Sequence, residues 1–212
     1  MNRPKNIVVV CEGGSEWTYL QRLNSFLASL PFPDGWLEVP VRFIGRPPRN
    51  GVGTGAYKAV ERELRKAARQ NPSAERWAWV DADIYARNEK TCGDSYLRRP
   101  ADVAPFAFSV FNFEDFLACH LDDAGFERWR SVMDAAGHFR SPLCWEDYRP
   151  LFQKVLPGYR KADLPSGFVL RESLANLRRH VAEFPSVSLG ALSGERMFAE
   201  RLLAEIGAWY DV

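Results

Sequence analysis

At 212 residues, 46% hydrophobic and 26% charged, the chain suits one good-sized globular domain, or a domain with a modest appendage. A formal net charge of +1, from 28 basic and 27 acidic residues, excludes a uniformly basic nucleic-acid coat but leaves room for a local basic groove. No stretch is long and apolar enough to span a bilayer, no signal-peptide pattern precedes the first apolar run, and Cys11, Cys92, Cys119 and Cys144 lack CxxC spacing, so a reducing cytoplasm is the expected setting.

In chain order, Ile7-Val8-Val9-Val10-Cys11 is a β-branched run that ends at Glu12 and predicts a buried strand. Gly13-Gly14-Ser15 reads as a turn. Apolar residues at 19, 20, 23, 26, 27 and 30 then predict a helix capped by Ser15 and stopped by Pro31 and Pro33. Residues 36–44 predict a second strand, at an edge because of Pro40. A Pro/Gly/Arg loop from Gly45 to Gly55 leads into a helix from about Ala56 to Gln70. Trp77-Ala78-Trp79-Val80 predicts a third strand, ending at Asp81-Ala82-Asp83. Phe106–Phe111 predicts a fourth, and Asn112 would cap a helix over 113–121. The rest reads as helical, with breaks at Gly137, Pro142, Pro157-Gly158, Pro165 and Pro185. Alternating strands and helices imply an α/β domain over residues 1–122 with a largely parallel sheet, followed by a mainly helical region over 123–212 that packs on it.

Two apolar strands that stop at carboxylates deliver acid to one edge of a sheet, where open α/β sheets bind ligands. Carboxylates gathered there repel one another unless a cation lies between them, and hard cations on oxygen ligands commonly serve phosphate chemistry. Each acid also has an ordinary reading. Asp81 and Asp83 suit a strand-to-helix turn, and Glu12 a turn residue beside Gly13. Neither GxGxxG nor GxxxxGK[ST] is completed, which weakens dinucleotide and P-loop readings. His120, six residues after Glu114, is expected to pack or hydrogen-bond, and His138 and His180 lack partners at ligand spacing. Trp129, Trp145, Phe152 and Tyr159 read as core, and Arg171, Arg178 and Arg179 as a solvated helix face. The Arg46–Gly55 loop balances between a basic phosphate clamp and a plain linker.

Val9-Val10-Cys11-Glu12-Gly13 with Ser15-Glu16 and Tyr19, then Asp81-Ala82-Asp83, then Phe113-Glu114-Asp115-Phe116-Leu117-Ala118-Cys119-His120, resemble the RloB-like proteins. Gly158-Tyr159-Arg160-Lys161 resembles that family's aromatic-basic segment ending in lysine. The family is similar to the Toprim domains of topoisomerases, primases and OLD-type nucleases. The islands run from about residue 5 to 165; where the family commonly has a Ser-Asn-Pro-like turn before its helix, this chain has Ser109-Val110-Phe111-Asn112.

The resemblance implies a Toprim-like fold and a nuclease cutting DNA or RNA, active in bacterial anti-phage defence. It implies Mg²⁺, with Mn²⁺ able to substitute, on Glu12, Asp81, Asp83 and Glu114, and a catalytic set of Glu12, Asp81, Asp83 and Lys161. Lys161 would contact a phosphate as a point charge. Since the chain carries no P-loop, a sensing ATPase would be a separate partner; oligomerisation is open and no membrane association is expected. Two other classes stay in view: a non-catalytic Toprim module that binds a partner or nucleic acid, and a phosphotransfer enzyme with Asp81 as nucleophile, whose downstream lysine and acidic motifs are not evident.

Overall fold

The computed structural model describes residues 3–46, 57–81, 106–109, 111–161, 163–164, 168–183 and 197–211. Strands β1 (Lys5–Cys11), β2 (Val41–Arg46), β3 (Glu75–Asp81) and β4 (Phe106–Ser109) form one all-parallel sheet in the order β2-β1-β3-β4. Helices α1 (Gly14–Ser29) and α2 (Tyr57–Gln70) make the first two crossovers. After β4 come α3 (Phe113–Ala118), α4 (Asp123–Ala135), α5 (Trp145–Val155), α6 (Arg171–Glu183) and α7 (Phe198–Gly207). Among the described residues, no helix is long and apolar enough to cross a membrane.

Parallel strands need helical crossovers, which cover both faces of the sheet and explain why β1 is apolar at consecutive positions. Ile7, Val9 and Cys11 share a core with Tyr19, Leu20, Leu23 and Leu27 of α1. Val8, pointing the other way, packs with Ala67 of α2 and with Ala74. The chain thus leaves β1 toward β2 over one face and returns across the other to β3. The crevice of such a reversal opens between the carboxyl ends of β1 and β3.

The C-terminal helices return to the first face. Phe198 of α7 stacks on Trp79, with ring centroids 3.6 Å apart and planes 6° from parallel. Trp79 also meets the edges of Tyr19 and Phe116 and donates its indole N–H to Ser109 Oγ at 2.8 Å. Lys5 Nζ reaches Glu75 at 2.8 Å and Glu205 of α7 at 2.5 Å. One apolar core therefore runs from Ile7 to Tyr210.

Several predicted boundaries shift for local reasons. The second strand begins at Val41, later than expected, because Pro40 has no N–H and offers only its carbonyl, which accepts from Lys5 N–H at 2.7 Å. Ser15 lies within the first turn of α1, and extended Gly13 occupies the N-cap in its place. β4 stops at Ser109, before the expected Phe111, since the Phe111 and Asn112 N–H groups donate to Asp115 Oδ2. Asn112 caps α3 as expected, in a reciprocal capping box with Asp115. That helix ends at Ala118, after which the His120 and Leu121 N–H groups bond three residues back, tightening the last turn.

β2 is an edge strand, as Pro40 suggested, and its edge is guarded. Asn24 of α1 donates to Phe43 O at 2.6 Å and accepts from Phe43 N–H at 3.0 Å, occupying the groups another strand would pair with. Asn24→Leu should cost about 1–3 kcal/mol through the two orphaned backbone groups. It should also promote concentration-dependent association through the exposed edge. Thermal melts with sedimentation velocity would check both; a monomer melting like the native protein would contradict the role.

Candidate functional site

Glu12 follows β1 directly, and its N–H donates to Trp79 O at 3.0 Å, so the ladder carries it to the sheet edge. Its Oε2 accepts the Asp81 N–H at 2.7 Å. The ends of β1 and β3 are thereby joined across the crevice by a carboxylate that is only 8% exposed.

Glu16, in the first turn of α1, is 3% exposed and completes this corner. Its Oε2 is buried without a hydrogen-bond partner among the described residues. Gly13 makes room for it: a Cβ there would stand 2.9 Å from Glu16 Oε2. Burial raises the Glu16 carboxyl to about 8. A hydrogen bond from its own backbone N–H and the Lys161 ammonium oppose the rise, while the charges of Glu12 and Glu114 add to it.

Glu114 arrives from the first turn of α3 and is 2% exposed. Its Oε1 accepts from the Tyr159 hydroxyl at 2.9 Å. Burial raises this carboxyl too, against the Tyr159 hydrogen bond and the Lys161 charge. Tyr159, just after α5, is held by its ring against Phe152 and by Gln153 Nε2, which donates to Tyr159 O. Burial pushes its hydroxyl well above the usual tyrosine range, and the charges of Glu114, Glu16 and Asp81 push the same way. Lys161 follows, its ammonium 4.9 Å from the centre of the Trp145 ring.

Glu12, Asp81, Glu114 and Lys161 are thus brought to one end of the sheet. Asp83 lies outside the described residues, as does all of the Gly45–Gly55 loop beyond Arg46. Glu16 and Tyr159 line the same pocket, although sequence reasoning gives Glu16 only a helix-dipole role and a place in the resembling motif, and places Tyr159 in the core. Tyr159 is buried as expected, but its hydroxyl faces the acids. A carboxylate in the turn right after an acid-tipped strand is the signal that could have found Glu16.

The histidines stand apart. Tyr19 OH donates to His120 Nε2 at 2.9 Å, while Nδ1–H faces Phe116 O at 3.0 Å. Burial lowers His120 to about 4, so the ring is neutral and fully engaged. His138 is buried against Asp115, and His180 lies between Cys119 O and Asp123. Trp129 and Phe152 are core, Trp145 is half-buried, and Arg171, Arg178 and Arg179 lie exposed on α6.

No family model, curated protein or solved structure matches the chain. The pocket is read from its own chemistry. All its anionic donors are hard oxygens, the set that Mg²⁺ and Mn²⁺ take. The buried Glu16 oxygen without a partner fits a cation nearby. Among the described residues, however, no group of three or more acidic, histidine or cysteine side chains is arranged to hold an ion. The acids are close enough to raise one another's protonation without forming a closed cage.

Proposed function

We propose that this pocket is a divalent-cation-dependent phosphodiester hydrolase site of Toprim type, in a protein of the RloB-like kind. The observation that carries the reading is the meeting of Glu12, Glu16, Asp81 and Glu114, delivered by two strand ends and two helix first turns, beside Lys161. The all-parallel sheet with helices on both faces agrees with it.

On this reading Glu12, Asp81, Glu16 and Glu114 would hold Mg²⁺ or Mn²⁺, with Asp83 assigned by resemblance alone. Such an ion supplies acidification of a bound water and compensation of charge on a phosphate under attack. Lys161 contacts a non-bridging phosphate oxygen, steadied by the Trp145 face. Tyr159 holds Glu114 in place and excludes water from its inner oxygen. Glu16, with its carboxyl near 8, can carry a proton at Oε2 until a cation displaces it. The substrate class is nucleic acid, DNA or RNA. The wider setting, anti-phage defence with an ATPase-type sensor as partner, rests on the resemblance.

The purified protein should cleave plasmid, linear or single-stranded DNA, or RNA, in Mg²⁺ or Mn²⁺ and not in EDTA. Glu12→Gln and Asp81→Asn should each slow cleavage about a hundredfold or more. Cleavage that persists unchanged in both variants would remove the site assignment. The second reading is a non-catalytic Toprim module. It is favoured by the protein donors already spent on Glu12 and Glu114 and by the open arrangement of the acids. Nucleic-acid binding with no cleavage of any substrate would select it.

A further inference from the structure

Glu114 and Asp115 are consecutive in the first turn of α3, about 100° apart around the helix. Glu114 turns into the pocket and meets Tyr159. Asp115 turns into the core and meets Tyr148, whose hydroxyl donates to Oδ1 at 2.7 Å. Tyr148 lies in α5 and Tyr159 shortly beyond its end, so two adjacent carboxylates clamp the two ends of one segment.

The Asp115 end is fully determined. Its Oδ2 accepts from the Phe111 and Asn112 N–H groups, each at 3.2 Å. His138 Nδ1 accepts the Leu143 N–H at 3.1 Å, so its proton lies on Nε2 and is donated to Asp115 at 3.1 Å. The Trp129 indole N–H donates to the Tyr148 oxygen at 2.9 Å, leaving that hydroxyl hydrogen to Asp115. Asp115, His138, Tyr148 and Trp129 are all wholly buried. Four donors converge on this one carboxylate from three separate stretches of chain: Phe111 with Asn112, then His138, then Tyr148.

We infer that Asp115 is a positioning residue: through Tyr148 and His138 it sets α3 against α5, and so places Glu114 against Tyr159 and Lys161. Its importance for cation binding rests on the hydrolase reading above; its control of the Glu114–Tyr159 contact does not.

Tyr148→Phe removes one hydroxyl and keeps the ring. In protein labelled with 3-fluorotyrosine and held in EDTA, the Tyr159 fluorine resonance is assigned with Tyr159→Phe. The Tyr148→Phe variant should move that resonance toward its position in Glu114→Gln, with no further movement in the double variant. Titration with Mn²⁺ should show binding at least about tenfold weaker in Tyr148→Phe, a loss absent from the Glu114→Gln background. Should Tyr148→Phe fail to fold, His138→Gln, which alters another donor to the same carboxylate, gives the same comparison. An unmoved Tyr159 resonance in a folded variant overturns the inference, as does a loss of Mn²⁺ affinity that is undiminished in Glu114→Gln. If the resonance moves but the native protein binds no Mn²⁺, the cation reading fails and the positioning role stands.

Discussion

Replacing Glu16 by glutamine should stabilise the cation-free protein at pH 8, and should abolish the cation-dependent cleavage proposed for this pocket. The folded carboxyl sits near 8 against an ordinary value of 4.5, because it is buried and faces Glu12 and Glu114. A carboxyl raised in the folded state favours folding fully below about 4.5, and that contribution is lost as pH rises through about 8. Glutamine does not titrate and keeps an oxygen for the backbone N–H. Native and variant should therefore melt alike at pH 5 in EDTA. At pH 8 the variant should lead by up to about 3–5 kcal/mol, or on the order of 10 °C. Adding Mg²⁺ should narrow the gap by stabilising the native protein alone. A variant that melts below the native protein at both pH values would contradict the crowded-anion account.

The largest loss of stability is expected from Asp115→Ala. Removing this carboxylate leaves the Phe111 and Asn112 N–H groups, the His138 Nε2–H and the Tyr148 hydroxyl facing a dry cavity. Buried donors stripped of a charged partner cost about 3–5 kcal/mol together, which lowers the melting temperature by roughly 10 °C. Asp115→Asn should fall between, since its NH₂ must point at donors from either end. Urea unfolding of the three proteins would rank them. A midpoint for Asp115→Ala within error of native would mean the network contributes nothing net.

Much of the frame is legible in the amino-acid order. The apolar runs of β1 and β3 announce buried strands, and their acid tips place Glu12 and Asp81 at one edge, because parallel strands end together. Asn112 is legible as a cap from its place before an aromatic-acidic helix. Glu16 is not, since a first-turn glutamate ordinarily points to solvent and serves the helix dipole. The space left by the missing Cβ of Gly13 admits its inward-turned carboxyl. The resemblance picks Glu114, but spacing alone does not decide which of Glu114 and Asp115 faces the pocket, because neighbouring helical positions differ only by rotation and the packing partners lie far along the chain. The Asp115 partners, His138 and Tyr148, are 23 and 33 residues away, with no local spacing to betray them.

The stack of Phe198 on Trp79 and the bond from Lys5 to Glu205 bear on how this molecule is made. The partners of the second contact lie 200 positions apart, which at roughly 5–20 residues per second separates their emergence from the ribosome by about 10–40 s. Phe198 follows Trp79 by 119 positions, about 6–24 s at the same rate, during which the broad faces of Trp77 and Trp79 have no α7 to cover them. The sheet therefore waits, incomplete and adhesive, for α7 to be synthesised. Chaperone demand and losses to aggregation should track the arrival of that helix rather than the completion of the strands.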